Sequence, residues 1–511
     1  MRLGGAGEGP DVQTGVGRLT RRDVLRLVGA SAVATALPVG LSSCMPTTTP
    51  GPLAPDASLR SLGFVGGTDV DLGPGAWCWF QSPRSSMGPN GVLWLGTSVG
   101  VGSTAKGAVQ VTAYDTRANR VLTRRTVENA QVDDHTSPSV MTFGDRVQVA
   151  WARHWWTDYL DIGETSVTGP FTVQRIQRPA AKDPPGIGTS YCSAHVVDGV
   201  RWVLYRGEQF SWNLLTSPDG VTWTPRGLVI QPRTPGDRPY FQAASDGRRL
   251  WFVVTDAHPS DFGGCGAYAG SIDPDLRIFR SDGVEAGRVG SAPPLPRSLT
   301  HLAEGVDGPG EAGDVDHWLS DLRTIGNRPC GVLIRRDPWP AGSASVGNYR
   351  HAYLWIRQRG SSWVVEPLCW AGGELTPTQP DYAGLATQDP TDASRVVVST
   401  DVDPVTGDPL VSRADGLVHH ELFEAQRQDD GTWSFSAITV DSTAENVRPH
   451  IAAGGTAKTL SWMRGSYRTW EDFETRIIVR RAVPMPAHRA SPSTATSAGS
   501  GSASAAFARP S

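Results

Sequence analysis

Asp198-Gly199-Val200-Arg201-Trp202-Val203 is a polar, glycine-containing turn that runs directly into a strand of β-branched and aromatic residues. The same unit recurs at Asn90-Gly91-Val92-Leu93-Trp94, Gly144-Asp145-Arg146-Val147-Gln148-Val149 and Asp246-Gly247-Arg248-Arg249-Leu250-Trp251-Phe252, with looser versions over 327–334, 393–399 and 455–462. Seven units spaced by roughly 50–80 residues match four-stranded blades joined by loops of varied length. A blade cannot bury its faces alone, and closing a ring of blades removes the exposed ends. The expected fold is therefore all-β, a seven-bladed β-propeller over residues 61–485. A two-sheet sandwich is the competing architecture, but one core rarely absorbs about 430 residues.

Composition agrees with this reading. The 511 residues include 58 Gly, 39 Pro and 18 Trp, too turn-rich for a helical bundle and aromatic enough to fill a large β core. A net charge of -4 offers no electrostatic footprint for nucleic acid, so none is expected as a partner, and the chain is expected to be a monomer. Besides Cys44 there are Cys78, Cys192, Cys265, Cys330 and Cys369. An odd number cannot all pair within one chain, which excludes a complete disulfide framework.

The ends read differently from the middle. Arg21 and Arg22 precede a modest apolar stretch over 28–41, too short to span a bilayer, and Leu41-Ser42-Ser43-Cys44 follows. Residues 1–43 match a twin-arginine signal with a lipobox, which predicts export in the folded state and lipidation of Cys44. The only membrane contact expected is this anchor, on the outer face of a bacterial cytoplasmic membrane. The alternative is a soluble exported protein cleaved elsewhere, with Cys44 incidental. Residues 44–60 read as a tether and residues 486–511, rich in Ser, Ala and Thr, as a disordered tail.

Further motifs follow in order: Trp77-Cys78-Trp79-Phe80 with Pro83-Arg84; Asp133-Asp134-His135-Thr136-Ser137-Pro138; Ser190-Tyr191, then Leu204-Tyr205-Arg206-Gly207; and Arg238-Pro239-Tyr240. Beyond them come Thr255-Asp256-Ala257-His258-Pro259, Arg350-His351-Ala352-Tyr353, Asp381-Tyr382-Ala383-Gly384 and Asn446-Val447-Arg448-Pro449. Ser217-Pro218-Asp219-Gly220-Val221-Thr222-Trp223 is close to an Asp-box, in which the Asp caps a turn and the Trp packs between sheets. Asp429-Asp430-Gly431-Thr432-Trp433 is a shorter echo. In this order of motifs the chain resembles the BNR repeat-containing family that includes the ulvan-lyase propellers.

The resemblance implies an acidic polysaccharide as partner and a lyase reaction, β-elimination at a uronate. A cation or hydrogen-bond donor must neutralise the carboxylate before a base can remove the C5 proton, and an acid protonates the O4 leaving group. It assigns His135 and His154, on neighbouring strands, to base or carboxylate-neutralising duty, Tyr191 to proton transfer and Arg206 to the carboxylate. Whether His or Tyr is the base stays open at this stage. Arg238 and Tyr240 are candidate substrate contacts. Trp155-Trp156, directly after His154, either narrows the groove or stacks on sugar rings. The resemblance also implies one structural zinc ion, for which His258, Cys265, Cys330 and His351 offer suitable ligand types; the alternative is that Cys265 and Cys330 are buried thiols or a disulfide. No organic cofactor is expected. A non-catalytic glycan-binding propeller is the second reading, and a sialidase-type glycosidase, which would need an acid/base carboxylate with a nucleophile and an arginine cluster for the sugar carboxylate, the third.

Overall fold

Each of the seven turns closes a hairpin between the two innermost strands of an antiparallel sheet. In the third sheet Asp198 and Gly199 both take left-handed backbone, φ 50° and 75°, and join Ser190–Val197 to Val200–Arg206. A two-residue loop with positive φ at both positions matches the right-handed twist of its flanking strands, which is why Asp-Gly stands there. The computed structural model describes residues 56–485, apart from 179–187, 208, 209, 235, 260–262, 309–313, 339–348, 377, 378 and 380. The signal segment, Cys44, the first part of the tether and the C-terminal tail lie outside the described residues.

Four-stranded sheets over 85–129, 139–177, 190–228, 316–372 and 386–437 form blades 1, 2, 3, 5 and 6, and 241–303 forms a blade 4 of six strands. Blade 7 combines three strands within 445–481 with an outermost strand from the other end of the chain, Asp69–Pro74. The innermost strands touch in succession from blade 1 to blade 7 and back to blade 1. The protein is thus a seven-bladed β-propeller, with no α-helix among the described residues. The second strand of blade 3 is almost wholly buried, because a neighbouring blade covers each face, whereas the outermost strand of blade 1 is half exposed.

Tryptophans fill the wedges between blades. Trp94 and Trp151 pack with Val140 and Val149 between blades 1 and 2, and Trp355 meets Trp433 edge-on between blades 5 and 6 at 5.9 Å. Trp223, at the end of the 217–223 turn, packs against the core between blades 2 and 3. Asp219 Oδ1 accepts from Val221 N, Thr222 N and Ser217 Oγ, so this carboxylate shapes the turn. Such residues hold blades together and are not reagents.

The central channel is blocked by the segment 77–84, which leads into blade 1. Pro83 O accepts from Val140 N of blade 2, and Ser82 O from Ala194 N of blade 3. Trp79 O accepts from Gln242 Nε2 of blade 4, while Trp79 Nε1 donates to Leu319 O of blade 5 at 2.8 Å. The Trp79 ring meets Tyr382, just ahead of blade 6, edge-on at 4.2 Å. Trp77 Nε1 donates to Arg448 O of blade 7, and Arg448 returns a bond to Trp77 O. One short segment therefore contacts six blades before entering the seventh. Trp79 is 2% exposed, and its truncation leaves both a cavity and an unmatched carbonyl. Trp79→Ala should lower unfolding free energy by about 3–5 kcal/mol, against a change within about 0.5 kcal/mol for the exposed Trp156→Ala, both read by denaturant titration.

Candidate functional site

The innermost strands all run the same way, and their starting ends surround a cavity of about 400 Å³ above the crossing segment. Blade 2 contributes its entry turn. Asp134–Thr136 is a single 3-10 turn capped by Asp133, whose Oδ1 accepts from His135 N at 2.8 Å. The same Oδ1 lies 2.6 Å from His135 Nδ1, and Asp133 Oδ2 lies 2.8 Å from His154 Nδ1. One carboxylate thereby orients two imidazoles, whose rings stack at 3.9 Å and 13°. With Nδ1–H donated to Asp133, each ring keeps its Nε2 lone pair for another partner. The two histidines sit in loops at the ends of adjacent strands, Ser139–Phe143 and Arg146–Trp151, and not within the strands as expected from the sequence.

Blade 3 supplies Tyr191 and Arg206. Tyr191 takes φ 51° at a register shift between Ser190 and Cys192, and this kink turns it out of the normal alternation. Arg206 Nη2 donates to Ser190 Oγ at 3.1 Å and Nη1 to Tyr240 Oη at 2.9 Å, while its guanidinium lies 4.5 Å from the centre of the Tyr191 ring. Tyr191 Oη and Tyr240 Oη are 3.3 Å apart. Because Tyr240 Oη accepts from Arg206, its own hydrogen is directed elsewhere, toward Tyr191 or a ligand. The His135 ring lies 5.1 Å from that of Tyr191, so imidazoles, phenols and guanidinium face a common space. Arg238 and His258 line the same cavity.

Beneath this layer Asp134 anchors the turn from below. Its Oδ2 accepts from Tyr467 Oη at 2.8 Å and from the buried Arg448, both of blade 7, and its N–H donates to Trp470 O. Asp134 thus ties the turn to the frame through Oδ2, while its Oδ1, 3.1 Å from His135 Nδ1, joins Asp133 in facing that imidazole.

Burial alone would raise the Asp133 carboxyl, but His135 and then His154 outweigh it and hold that group well below the usual carboxylate range. Burial, followed by the proximity of His135, pulls His154 down to about 3 despite Asp133. Burial pushes the Tyr191 phenol well above the ordinary tyrosine value, and Tyr240 adds to this against the pull of Arg206. His258 is lowered by burial and then by Arg238, Arg206 and Arg336. At neutral pH the cavity therefore presents a carboxylate, a neutral His154 and a protonated Tyr191.

All four residues assigned to chemistry from the sequence, and both assigned to substrate contact, line this one cavity. The metal quartet does not assemble. His351 is opposite Arg336, six residues along the strand from Cys330, a separation of about 20 Å at 3.3 Å per residue. Cys330 and His351 cannot hold the same ion. Cys265 Sγ instead donates to Ala257 O, His351 Nδ1 contacts Gly373 O, and all five described cysteines are free and buried. A zinc ion does not fit these four residues. Among the described residues only Asp133, His135 and His154 bring three ligand-type atoms within 4.8 Å of one another, and hydrogen bonding accounts for that grouping.

Sequence reasoning left out Asp133 as the residue that orients both histidines, although its position two residues before His135 was a usable signal. It also missed Tyr382, Trp470 and Glu471 on the cavity wall. Trp470 and Glu471 sit at the tip of a long hairpin of blade 7, and nothing local in the sequence tells how far that hairpin reaches. Of the paired tryptophans, Trp155 packs edge-on against His154 at 5.5 Å and Trp156 projects outward, 75% exposed. A larger depression of about 590 Å³ lies beside blade 6, where Arg395 and Glu424 pair as ions and Arg427 pairs with Glu366 of blade 5.

No protein-family model and no curated protein matches the chain. Among solved structures it is similar to the polysaccharide lyase Uly1, at 9% identity over 86% of this chain and 98% of that one, with a TM-score of 0.47. It is also similar to an α-L-arabinanase of Penicillium chrysogenum complexed with arabinobiose, at 10% identity over 81% and 98% of the two chains, TM-score 0.39. A GH93 α-L-arabinofuranosidase of Fusarium graminearum gives 11% identity over 66% and 89%, TM-score 0.37. Likenesses this distant add nothing to the chemistry of the cavity.

His154 stays neutral in the folded protein where an unfolded imidazole, with a pKa of about 6.5, takes up a proton. Its contribution to stability is therefore complete above about pH 6.5 and is lost as pH falls from there toward 3, by up to about 1.4 kcal/mol per pH unit. Urea titrations between about pH 4.5 and 6.5, above the range where Asp133 titrates, should show a shallower slope for His154→Gln than for the parent.

Proposed function

We propose that this cavity acts on an anionic, uronate-containing polysaccharide and cleaves it by β-elimination. The observation that carries the reading is the single carboxylate Asp133 orienting two imidazoles against the Tyr191, Arg206 and Tyr240 cluster. Arg206 binds the uronate carboxylate and draws charge from it, which acidifies the C5–H. The imidazole pair accepts that proton on an Nε2, and the imidazolium formed is stabilised by Asp133. The C5–H electrons become the C4–C5 double bond, the C4–O4 bond breaks, and Tyr191 gives its phenolic proton to O4. A phenol raised by burial stays protonated at neutral pH, which supports giving Tyr191 the acid's role and the imidazoles the base's.

Hydrolysis by the usual two-carboxylate route, from which sialidases with a tyrosine nucleophile depart, needs a pair of available carboxyl groups. The described carboxylates on the cavity wall are Asp133, committed to two imidazoles, and Glu471 at the rim. Glycan binding without turnover is favoured by one observation, the outward face of Trp156 beside the cavity, which suits stacking on a sugar ring. Location is part of the proposal: the twin-arginine segment exports the folded propeller and Cys44 anchors it, so Cys44→Ser should move the protein from the membrane to the soluble fraction.

Ultraviolet absorbance of an unsaturated uronate reads the reaction directly. With a screen of acidic polysaccharides as substrates, the parent should produce this chromophore, and Tyr191→Phe, His135→Ala and Arg206→Ala should each lower the rate by at least about a hundredfold. Melting temperatures measured alongside separate loss of chemistry from loss of fold. Binding of a polymer without product would give the glycan-binding reading its place.

A further inference from the structure

Arg206, Tyr240 and Tyr191 form a line of hydrogen bonds, and all three residues are on the wall of the cavity that holds the two imidazoles. Arg206 Nη1 donates to Tyr240 Oη at 2.9 Å, and Tyr240 Oη stands 3.3 Å from Tyr191 Oη. A guanidinium N–H can only donate, so the first bond has one direction. Tyr240 Oη uses a lone pair on it and keeps its own hydrogen for Tyr191. Tyr191 Oη then accepts, and its hydrogen is left for a ligand. A second bond, Nη2 to Ser190 Oγ at 3.1 Å, holds Arg206 in this pose, and the Tyr240 ring is packed 4.2 Å from Phe80 and 4.6 Å from Trp318.

The cation in this line is bonded to one phenol and only stacked on the other. The guanidinium lies over the face of the Tyr191 ring, 4.5 Å from its centre, and among the described residues it makes no hydrogen bond to Tyr191 Oη. A phenolate left at Tyr191, a residue 2% exposed, would be a buried charge with no cation bonded to it. Burial accordingly pushes the Tyr191 phenol well above its ordinary value. The same charge at Tyr240 Oη meets the Arg206 N–H directly, in a charge-assisted bond about twice as strong as a neutral one.

We propose that Tyr240 is a proton relay in the elimination, passing its phenolic proton to Tyr191 as Tyr191 passes its own to O4. The inference rests on the β-elimination reading and adds a second moving proton to it. The C4–O4 bond breaks, O4 takes the Tyr191 proton, Tyr191 Oη takes the Tyr240 proton, and the negative charge ends on Tyr240 Oη beside Arg206. The C5 proton, held as imidazolium by the histidine pair, balances that charge and returns to Tyr240 through water once product leaves. A gap of 3.3 Å is long for an O–H···O bond. It shortens as O4 draws on the Tyr191 hydrogen, because each bond in such a line polarises the next.

Solvent deuterium reads the relay. The C5 hydrogen is bound to carbon and does not exchange with water, so the solvent effect reports only protons carried by oxygen and nitrogen. With a polysaccharide that yields the unsaturated uronate, turnover of the full-length parent and of Tyr240→Phe, which keeps the ring and loses the hydroxyl, is measured in mixtures of H2O and D2O. The parent should give a bowed plot of rate against deuterium fraction. Tyr240→Phe should give a straight one, with kcat lower by at least about tenfold and KM changed by less than about twofold. A hydroxyl that only touches substrate raises KM instead, and one that only supports the fold lowers the melting temperature and leaves the plot bowed. A straight plot for the parent, equal curvature in the two proteins, or a smaller loss of kcat would overturn the relay while the lyase reading stands. Absence of unsaturated product from every acidic polysaccharide would remove the lyase reading and the relay with it.

Discussion

A ring of seven wedge-shaped sheets leaves a hole at its axis, and the fold depends on what fills it. Here the filler is a stretch of the chain itself. Residues 77–84 satisfy their backbone groups on blades 2 and 3 and hang two indole N–H groups on carbonyls of blades 5 and 7. Each bond is worth only about 1 kcal/mol net, but every one joins the axis to a different blade, so the blades are fixed against a common reference as well as against their neighbours. The same stretch divides the channel in two. One end becomes a floor on which Tyr191, Tyr240 and Tyr382 converge, through the rings of Trp79 and Phe80; the other borders a second cavity of about 230 Å³, lined by His195 and Arg323 among others.

Charge is distributed with corresponding care. Asp134 Oδ2 is engaged by Arg448 and Tyr467 and Asp134 Oδ1 lies 3.1 Å from His135 Nδ1, while its neighbour Asp133 is left to the two imidazoles. Asp133 is extended and Asp134 opens the 3-10 turn, and this change of backbone lets the pair face both the frame and the cavity. Removing either changes the other, because a single 3-10 turn carries both. The left-handed backbone at Tyr191, φ 51°, and Arg448, φ 54°, has a related origin: each lies at a bulge in an innermost strand, near the end that borders the cavity. Regular strands would alternate these side chains between neighbouring blades; the bulges turn them toward the axis.

The blades were legible because a turn is a local event. All seven units read from the sequence are the turn and second strand of successive blades, even the looser ones at 327–334, 393–399 and 455–462. The crossing of 77–84 was not legible, since its partners lie far along the chain; the extra strands of blade 4 are short and pair locally, without a glycine turn leading into the β-branched run that marked the other units. In the site, His135, His154, Tyr191 and Arg206 came from the order of motifs and do share a cavity. Cys330 and His351 were joined on the resemblance and on residue type, and strand register, which no composition encodes, separates them. Trp470 and Glu471 fail for a third reason: the length of a hairpin decides what its tip touches.

Ring closure by Asp69–Pro74 against Asp472–Arg481 carries a consequence for the order of assembly. The closing strand is near the beginning of the chain and its partner near the end, paired residues such as Asp69 and Arg480 being 411 apart. During synthesis at 5–20 residues per second the first strand waits roughly 20–80 s for its mate. Over that interval residues 77–84 have no blade 7 to bond, and the blade at each end of the growing arc has an open flank. The ring is complete only when the last hairpin has left the ribosome, so the first and last blades are the ones whose apolar faces wait longest for cover.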